Sequence, residues 1–366
     1  MSRLSFTILC VFEFITLFSL AQKPLEYYEY EIHNVKDGIY VAVRPEPLRF
    51  AVDGNVTIIV NEKDIFVVDA SGTPIGAREL IRKIRQISDK PISFLINTHF
   101  HTDHVVGNQE FKKAYPAIRI ISTPETRADM MAITSKGVAA YFDDKTFKSR
   151  IKFIRDEIAK VNAERYRGYE KVVANLANYA DHDIFIRRDA FREVTLTPPD
   201  SLFNGTLVLK SGSRELRILA IGKGDTPGDA WIFLPKEKVL ISGDAVVYPI
   251  PYGFSGFPIE WLQTLKNASN IDFDILIPGH GEIQHGKTYI QKTISLHESI
   301  QKQIKSAVNA GKSEVELPNS VDISALEKEF TNGDAILRYY FNSYFKEPNF
   351  RQVYKFFKEQ KDLKKN

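Results

Sequence analysis

The segment THFHTDH, residues 98–104, constrains this chain more than any other stretch of its sequence. Three histidines and one aspartate fall within its last six positions, directly after the apolar run PISFLIN, which is typical of a buried β-strand. A chain that leaves a buried strand must turn, and a turn lets neighbouring side chains converge on one point. Imidazole and carboxylate groups together bind Zn²⁺ or a similar divalent ion. The segment therefore predicts a metal site at the end of a strand.

The pattern around this segment predicts a mixed α/β fold. The runs EIHNVKDGIYVAVRP and NVTIIVNEKDIFVVDAS are rich in β-branched and aromatic residues and contain turn signals, so they predict strands. PIGARELIRKIRQI is apolar at helical spacing, which gives a strand-helix-strand unit that ends at Thr98. A second group of strands is predicted in TLVLKSGSRELRILAIG, AWIFLP and KVLISGDAVV, followed by a helix in PIEWLQTLKNAS and a short strand in FDILIPGHG.

Two regions depart from this alternation. From about Pro124 to Phe191 the sequence is rich in charge and has apolar residues at helical intervals, which predicts a helical insertion between two strand-rich halves. This insertion is placed where it could cap the site or form a surface for a homodimer. From residue 286 to 366 the pattern is helical again and shows no catalytic cluster, and its basic end is interpreted as a solvated helix terminus.

The first 21 residues predict a secretory signal peptide. Arg3 precedes an apolar run, and Ser19 and Ala21 are placed like the small residues of a cleavage site. A short membrane anchor is the alternative, although the run is short for a membrane span. Cleavage would remove Cys10, the single cysteine, and would leave a periplasmic or secreted chain without stable membrane association. The formal net charge of +3, without long basic runs, gives no reason to expect nucleic acid as a partner.

The histidine segment and three later motifs together resemble the metallo-β-lactamase superfamily of metallohydrolases. The pattern His-x-His-x-Asp-His is matched by His99, His101, Asp103 and His104. The early structural aspartate of the family is matched by Asp69 in IFVVDAS, the bridging aspartate by Asp244 in SGDAVV, and the last histidine by His280 in PGHG. The resemblance covers residues 35 to 285, apart from the insertion.

The resemblance implies an αββα sandwich, with a domain of about 25–285 that carries the helical insertion at 124–191 and a helical C-terminal region at 286–366. It implies two metal ions per chain at one edge of the sandwich. In that family His99 and His101 would hold the first ion with a third histidine, Asp103, His104 and His280 would hold the second, and Asp244 would bridge them. A metal-bound hydroxide then attacks an electrophilic carbonyl or phosphorus centre.

The sequence departs from the family at Asp225, in IGKGDTPGD, where the third histidine of the first site is expected. Three interpretations stay open. Asp225 binds the first ion as a carboxylate, it accepts a hydrogen bond behind the ligands or orients a water, or the first site is vacant. Gly222 and Gly224 would allow the close approach that a short carboxylate needs. His182 and His285 are candidates for a substitute ligand, although a lone histidine is more often a surface or core residue.

The charge count bears on the metal. With Asp225 as a ligand, three carboxylates face two divalent ions and leave a formal charge of about +1 in place of about +2, which weakens the ions as Lewis acids. Harder ions such as Mn²⁺ or Fe²⁺ then compete with Zn²⁺ for the site. Either Asp103 or Asp225 is predicted to accept the proton of the attacking water.

The bridging Asp244 favours one group of reactions within the family. As the resemblance implies, thioesterases, lactonases and phosphodiesterases use an aspartate there, whereas authentic β-lactamases do not. The predicted function is therefore hydrolysis of an ester, lactone, thioester or phosphoester bond in a small-molecule substrate. The two alternatives are a β-lactam hydrolase and a non-catalytic protein with a degraded first metal site that only binds a ligand.

The segment VVYPIPYGFSGFPIEW, which follows Asp244, is dense in aromatic residues and predicts an apolar pocket beside the metals. The alternative is a packed loop and a helix start that do not face the substrate. The residues predicted to bind substrate are Tyr248, Tyr252, Phe254 and Trp261, with Phe257 as a further candidate.

Overall fold

The fold is described from a computed structural model, in which residues 30–44, 53–254 and 256–364 are placed. The predicted signal peptide at 1–21 and Cys10 lie outside these residues. Within the described ranges, no helix is both long enough and apolar enough to cross a membrane.

Two sheets form the centre of the fold. The strands of the first sheet are β1 (Glu31–Lys36), β2 (Ile39–Val43), β3 (Val56–Val60), β4 (Ile65–Val68), β5 (Ile92–Ile96), β6 (Arg119–Ser122) and β7 (Ser201–Leu202). They lie in sequence order; β1 to β4 pair antiparallel, and β4 to β7 pair in parallel. The parallel half places the carboxyl ends of β4 and β5 at the same edge.

The strands of the second sheet are β8 (Thr206–Ser211), β9 (Arg214–Leu219), β10 (Trp231–Leu234), β11 (Val239–Ile241), β12 (Ile275–Ile277) and β13 (Gln284–His285). Their spatial order is β13-β12-β11-β10-β9-β8, and β11 and β12 form the parallel pair of the sheet. The carboxyl ends of these two strands therefore also lie side by side.

Helices cover the outer face of each sheet. On the first half of the chain they are α1 (Pro74–Ile87), α2 (Thr102–Val105) and α3 (Asn108–Ala114); the insertion holds α4 (Pro124–Asp129), α5 (Ser135–Ala139), α6 (Asp144–Glu164), α7 (Tyr169–Asn178) and α8 (Ile184–Phe191). The remaining helices are α9 (Pro258–Ser269), α10 (Thr288–Asn309), α11 (Ser324–Thr331), α12 (Ala335–Tyr340) and α13 (Glu347–Leu363). Short π-helical turns connect α4 to α5, α7 to α8 and α12 to α13.

The helix α1 shows why the outer layers form. Its buried positions include Ala77, Leu80, Ile81 and Ile84, which recur at three- and four-residue intervals and make one apolar face. Thr73 begins the helix, because its hydroxyl accepts a hydrogen bond from the Gly76 amide at 3.0 Å. This face packs on the first sheet, in a cluster that also holds residues of α3.

Three apolar layers result from this arrangement. One lies between the sheets, one between the first sheet and α1 and α3, and one between the second sheet and α9 to α13. The insertion has a core of its own, to which Ala335 of α12 contributes. The observed architecture is the αββα sandwich that the sequence predicts, with helices from Pro124 to Phe191 between β6 and β7.

Hydrogen bonds between loops hold the site edge of the two sheets together. The amide of Ala230, just before β10, donates to the Thr98 carbonyl after β5 at 2.8 Å. The amide of Asn55, just before β3, donates to the Gly279 carbonyl after β12 at 2.7 Å, and its side-chain amide donates to Pro278 and Gly281 at 2.9 Å. In each sheet, a residue just before a strand thus holds a loop that follows a strand of the other sheet.

The core around α10 contains one buried histidine that suggests a test of stability. His297 is fully buried between the rings of Trp261 and Phe345, and neither ring nitrogen has a hydrogen-bond partner among the described residues. Burial lowers the pKa of His297 to about 3, so the ring is neutral in the folded protein.

We expect His297→Leu to stabilise the fold by about 1–3 kcal/mol at pH 8, because a buried polar group without partners carries a desolvation cost. The unfolded chain protonates this histidine below its ordinary pKa of about 6.5, so the wild type loses stability as the pH falls toward about 3, and the gain in the variant should grow on acidification. Urea unfolding of the metal-free protein at pH 8 and pH 5 measures both effects. His182→Gln, at an exposed histidine, is the control, and a less stable His297→Leu at both pH values would contradict the interpretation.

Candidate metal centre

The first of two side-chain clusters joins the loop after β5 to the loop that precedes β10. The Nε2 atom of His99 lies 3.0 Å from Nδ1 of His101, which lies 3.2 Å from a carboxylate oxygen of Asp225. A carboxylate oxygen of Asp244 completes the group at 3.7 Å from His99 Nε2. One donor atom from each residue lies within 4.8 Å of all the others, so the four can reach a single ion.

The second cluster shares Asp244 with the first. The Nε2 atoms of His104 and His280 lie 3.3 Å apart, and a carboxylate oxygen of Asp103 lies 3.1 Å from His280 Nε2. Asp244 approaches both rings, with Oδ1 at 3.2 Å from His104 Nε2 and Oδ2 at 3.3 Å from His280 Nε2. A carboxylate placed between two clusters in this way can bridge two ions.

Hydrogen bonds around Asp69 fix which nitrogens face the clusters. Its carboxylate accepts from the Thr98 amide, the Thr98 hydroxyl and Nδ1 of His104, each at 2.8 Å. Since the Thr98 hydroxyl donates to Asp69, it accepts from Nδ1 of His99 at 3.0 Å. Both rings therefore carry their proton on Nδ1 and turn the lone pair of Nε2 toward the clusters, which is the orientation that a metal ligand needs.

The donor set fits divalent cations. Both carboxylate oxygens of Asp225 and one of Asp244 are buried and accept no hydrogen bond among the described residues. Ring nitrogens of neighbouring imidazoles also face each other across about 3 Å. Buried anions are costly unless cations lie among them. Imidazole with carboxylate is also the ligand chemistry of zinc and of related first-row metals.

The electrostatics of the clusters show where positive charge is favoured. Burial lowers the pKa of His280, but the Asp244 and Asp103 carboxylates together outweigh burial and raise the pKa to about 10. Burial likewise opposes protonation of His101, whose pKa is raised to about 9 by Asp225. In the absence of metal, protons occupy the same nitrogens that metals would use. Metal affinity should therefore fall as the pH is lowered.

The loop that carries Asp225 is held from both sides. Asp229 accepts hydrogen bonds from the amide and the hydroxyl of Thr226, and the carbonyl of Gly228 accepts from two threonine hydroxyls around the start of α4. Gly222 has a φ of 147°, and a Cβ there would lie 2.1 Å from the Thr264 hydroxyl, so this position requires glycine. Burial and the nearby Asp225 raise the pKa of the Asp229 carboxyl to about 8.

The structure brings together all seven residues that the sequence predicts as metal ligands, and it places Asp225 within the first cluster. The substitute ligands considered for this site lie elsewhere: His182 is on the insertion, and His285 is on the edge strand β13. The residues that meet at the two clusters are His99, His101, Asp103, His104, Asp225, Asp244 and His280.

A cavity of about 990 Å³ opens from the metal clusters. Its walls come from the histidine loop, from the insertion and from the helices that follow α11. The exposed surface of the wall is more apolar than polar, and charged side chains of α6, α8, α12 and α13 also line it. The principal apolar lining residues are Phe100, Ile133, Tyr141, Phe153, Val161, Tyr179, Tyr252, Phe254 and Tyr344.

Two of the four residues predicted to bind substrate reach this cavity. Tyr252 and Phe254 line it, and the Tyr252 ring lies 5.5 Å from that of His280. Trp261 does not, because it is buried in the core, where its indole donates to the Ala245 carbonyl at 3.0 Å. Tyr248 also lies away from the cavity and packs on Tyr289. Tyr248 and Trp261 therefore belong to a packed loop and a helix start that do not face the cavity, which is the alternative interpretation of this segment.

The sequence interpretation missed the contribution of the C-terminal helices. Tyr344 packs against Tyr252 and Phe254, and Arg338, Tyr339 and Asn342 line the cavity with it. The dense aromatic run RYYFNSYF at 338–345 is the sequence feature that could have indicated a contribution to the cavity. Its role depends on the packing of a distant segment against the insertion, which local pattern does not reveal.

Comparison with known proteins shows the family. The sequence model of the metallo-beta-lactamase superfamily matches residues 49–280 of this chain. That range covers more than half of the chain and holds all seven clustered residues. The chain belongs to the metallo-beta-lactamase superfamily, which confirms the resemblance found in the sequence.

Two curated relatives are enzymes of different specificity. A linear primary-alkylsulfatase of Pseudomonas sp. is 24% identical over 243 residues, which is 63% of this chain and 42% of the relative. A metallo-beta-lactamase type 2 of Elizabethkingia meningoseptica is 25% identical over 200 residues, 48% of this chain and 76% of the relative. The chain thus spans less than half the length of the alkylsulfatase. These relatives support the class of superfamily hydrolase without fixing a substrate.

A solved structure supports the fold. The stereoselective inverting sec-alkylsulfatase from Pseudomonas sp. superposes with a TM-score of 0.62 at 17% identity, over 89% of this chain and 50% of that chain. At this identity the likeness concerns the fold alone. It confirms the predicted sandwich.

Gly54 offers a test of the ligand geometry. A Cβ at Gly54 would lie 2.3 Å from Cε1 of His104, so alanine there must displace this ring. We expect Gly54→Ala to weaken metal binding on the order of 10–100-fold while the sandwich stays folded. The displaced His104 ring would no longer hold its Nε2 atom where the other ligands need it.

Competition with a chelating dye measures the affinity, and far-ultraviolet circular dichroism reports folding. Gly137→Ala is the matched control, since a Cβ at Gly137 meets nothing within 4 Å. Wild-type metal affinity in Gly54→Ala would show that His104 is not a ligand in this position.

Proposed function

We propose that this chain is a metal-dependent hydrolase that cleaves an ester-type bond in a small-molecule substrate with a large apolar part. The observation that carries the proposal is the pair of donor clusters that share Asp244 at the inner end of a largely apolar cavity. The alkylsulfatase relative extends the ester-type bonds to test from carboxylic esters, lactones, thioesters and phosphoesters to sulfuric esters.

The proposed cofactor is a pair of divalent ions, with Zn²⁺ as the first candidate and Mn²⁺ or Fe²⁺ as alternatives. His99, His101 and Asp225 would hold one ion, and Asp103, His104 and His280 the other, with Asp244 shared. When bound, such ions polarise the scissile bond and lower the pKa of water toward neutrality. Asp225 as a ligand lowers the net charge of the centre, which favours the harder ions.

The chain itself supplies orientation and a proton acceptor. Asp69 and Thr98 fix the imidazoles in the tautomer that faces the clusters. The Asp103 side chain is 18% exposed, whereas those of Asp225 and Asp244 are at most 5% exposed, so Asp103 is the carboxylate that water in the cavity reaches most easily. We propose Asp103 as the group that accepts the proton of the attacking water, with Asp225 acting as a ligand.

The cavity supports the proposed preference for an apolar substrate. Phe100, Tyr252 and Phe254 stand at its metal end, and Phe153 and Val161 of α6 continue the apolar wall. Burying an apolar group against such a wall contributes about 25 cal/mol per Å² of surface removed from water. Polar substrates of the same ester chemistry should therefore bind less tightly.

The proposal also covers the cellular location and the partners of the enzyme. The segment 1–21 supports export to the periplasm or secretion, with no stable membrane association after its removal. The balanced composition supports a small molecule, not nucleic acid, as the partner. The insertion also stays a proposed surface for a homodimer.

A panel of substrates tests the proposed function. Medium-chain carboxylic, thioester, phosphate and sulfate esters, a lactone and a β-lactam are assayed with the protein loaded with Zn²⁺ or Mn²⁺. We expect turnover of at least one ester with a medium apolar chain, with a lower KM than its short-chain analogue because the cavity wall buries the chain. Turnover of the β-lactam alone would favour the β-lactamase alternative.

Two variants of Asp225 separate the remaining interpretations. Asp225→Ala removes a ligand and should lower kcat/KM by roughly 100-fold or more, together with the metal content. Asp225→His restores the imidazole expected in the family and should keep two ions while changing the preferred metal toward Zn²⁺. Full activity of Asp225→Ala would contradict the ligand role, and inactivity of wild type on every substrate would favour the non-catalytic alternative.

A further inference from the structure

The cavity continues away from the metals between α6 of the insertion and α12. Its residues on α6, from Phe153 to Glu164, lie on one helical face and span about 16 Å along the helix axis. At the metal end the Tyr252 ring contacts both His280 and Tyr344, at 5.5 and 5.6 Å. The wall therefore runs from the metal centre along the C-terminal helical segment.

The other end of the cavity is polar. Arg338 precedes Tyr344 by six positions, roughly 9 Å along a helix axis, and its guanidinium stacks over the Tyr166 ring at 4.9 Å. Stacking fixes the plane of the guanidinium, so less freedom is lost when it binds a ligand. Lys160 lines the same end.

The charges at this end leave Arg338 available. In the parts of the chain that the structure describes, no ion pair joins its guanidinium to a carboxylate. Glu157 accepts a hydrogen bond from the Tyr339 hydroxyl at 3.1 Å and lies 4.0 Å from the Lys160 ammonium. Glu164 is exposed to water, whereas Arg338 is half-buried. The Arg338 guanidinium is therefore a half-buried cation that stacking holds in place and that no carboxylate of the described residues neutralises in an ion pair.

We propose that Arg338 binds an anionic group at the far end of the substrate, so that the preferred substrate is an ester with an apolar chain that ends in a carboxylate or a similar anion. This inference rests on the proposed function for the reacting end. The chain lies along the aromatic wall, and the anion meets the guanidinium, which offers a planar set of donors for a carboxylate.

Calorimetric binding tests the anion site independently of hydrolysis. Dicarboxylates from octanedioate to hexadecanedioate are titrated into the metal-loaded protein, and monocarboxylates of the same lengths serve as matched ligands. We expect the dicarboxylate to bind at least about tenfold tighter at one chain length, because only that length joins the metal end to Arg338. Arg338→Gln should abolish the difference. Arg155→Gln, at an exposed arginine on α6 that pairs with Asp181, should keep it.

Three outcomes would overturn the inference: no dicarboxylate binds more tightly in the wild type, the difference persists in Arg338→Gln, or ω-aminododecanoate binds more tightly than dodecanedioate. Hydrolysis of 4-nitrophenyl monoesters of the same diacids, compared with their methyl-capped diesters, distinguishes the two proposals. Hydrolysis without preference for the free acid leaves the proposed function and rejects the role of Arg338. A calorimetric preference without turnover of these esters or of any substrate in the panel above rejects the proposed function and leaves the anion site.

Discussion

The structure depends on the concentration of buried charge at one edge of the sandwich. Carboxylates and imidazoles from four loops meet there with donor atoms about 3 Å apart, and several of their buried oxygens accept no hydrogen bond among the described residues. Such a group is stable only with positive charge inside it. The parallel strand pairs β4–β5 and β11–β12 supply the rigid ends from which the loops reach this point. Asp69 joins two of these strand ends through the hydrogen bonds that also orient His104.

Much of this edge could be predicted from the sequence, because the ligands occur in short motifs at strand ends. THFHTDH, SGDAVV and PGHG each follow an apolar run, and the fold brings such runs to one edge. Helix α1 and the bounds of the insertion were also predictable, since their apolar spacing is regular and proline marks the starts of α1 and α4. The cavity was not predictable in the same way. Trp261 looks like a pocket residue in the sequence, yet its indole finds a partner in the core, and Arg338 and Tyr344 reach the cavity only through long-range packing.

Asp225 is the feature that sets this member of the superfamily apart from the pattern its sequence resembles. Its loop has the glycines and the Thr226–Asp229 frame that a close approach requires, and its carboxylate lies within reach of the atoms that would hold the first ion. An anionic ligand in place of a neutral one weakens the Lewis acidity of the centre and favours harder metals. The apolar cavity can compensate in kcat/KM through substrate binding. The metal preference, set by Asp225, and the substrate preference, set by the cavity, then both contribute to the activity of the same site.

Anomalous diffraction from crystals of the metal-loaded protein is the most direct test of the central claim that Asp225 binds the first ion. The account predicts two anomalous peaks about 3.5–4 Å apart, on either side of Asp244. It also predicts a carboxylate oxygen of Asp225 at about 2.0–2.2 Å from the peak beside His99 and His101. A single peak at Asp103, His104 and His280, with the Asp225 carboxylate bonded to another protein group, would contradict it.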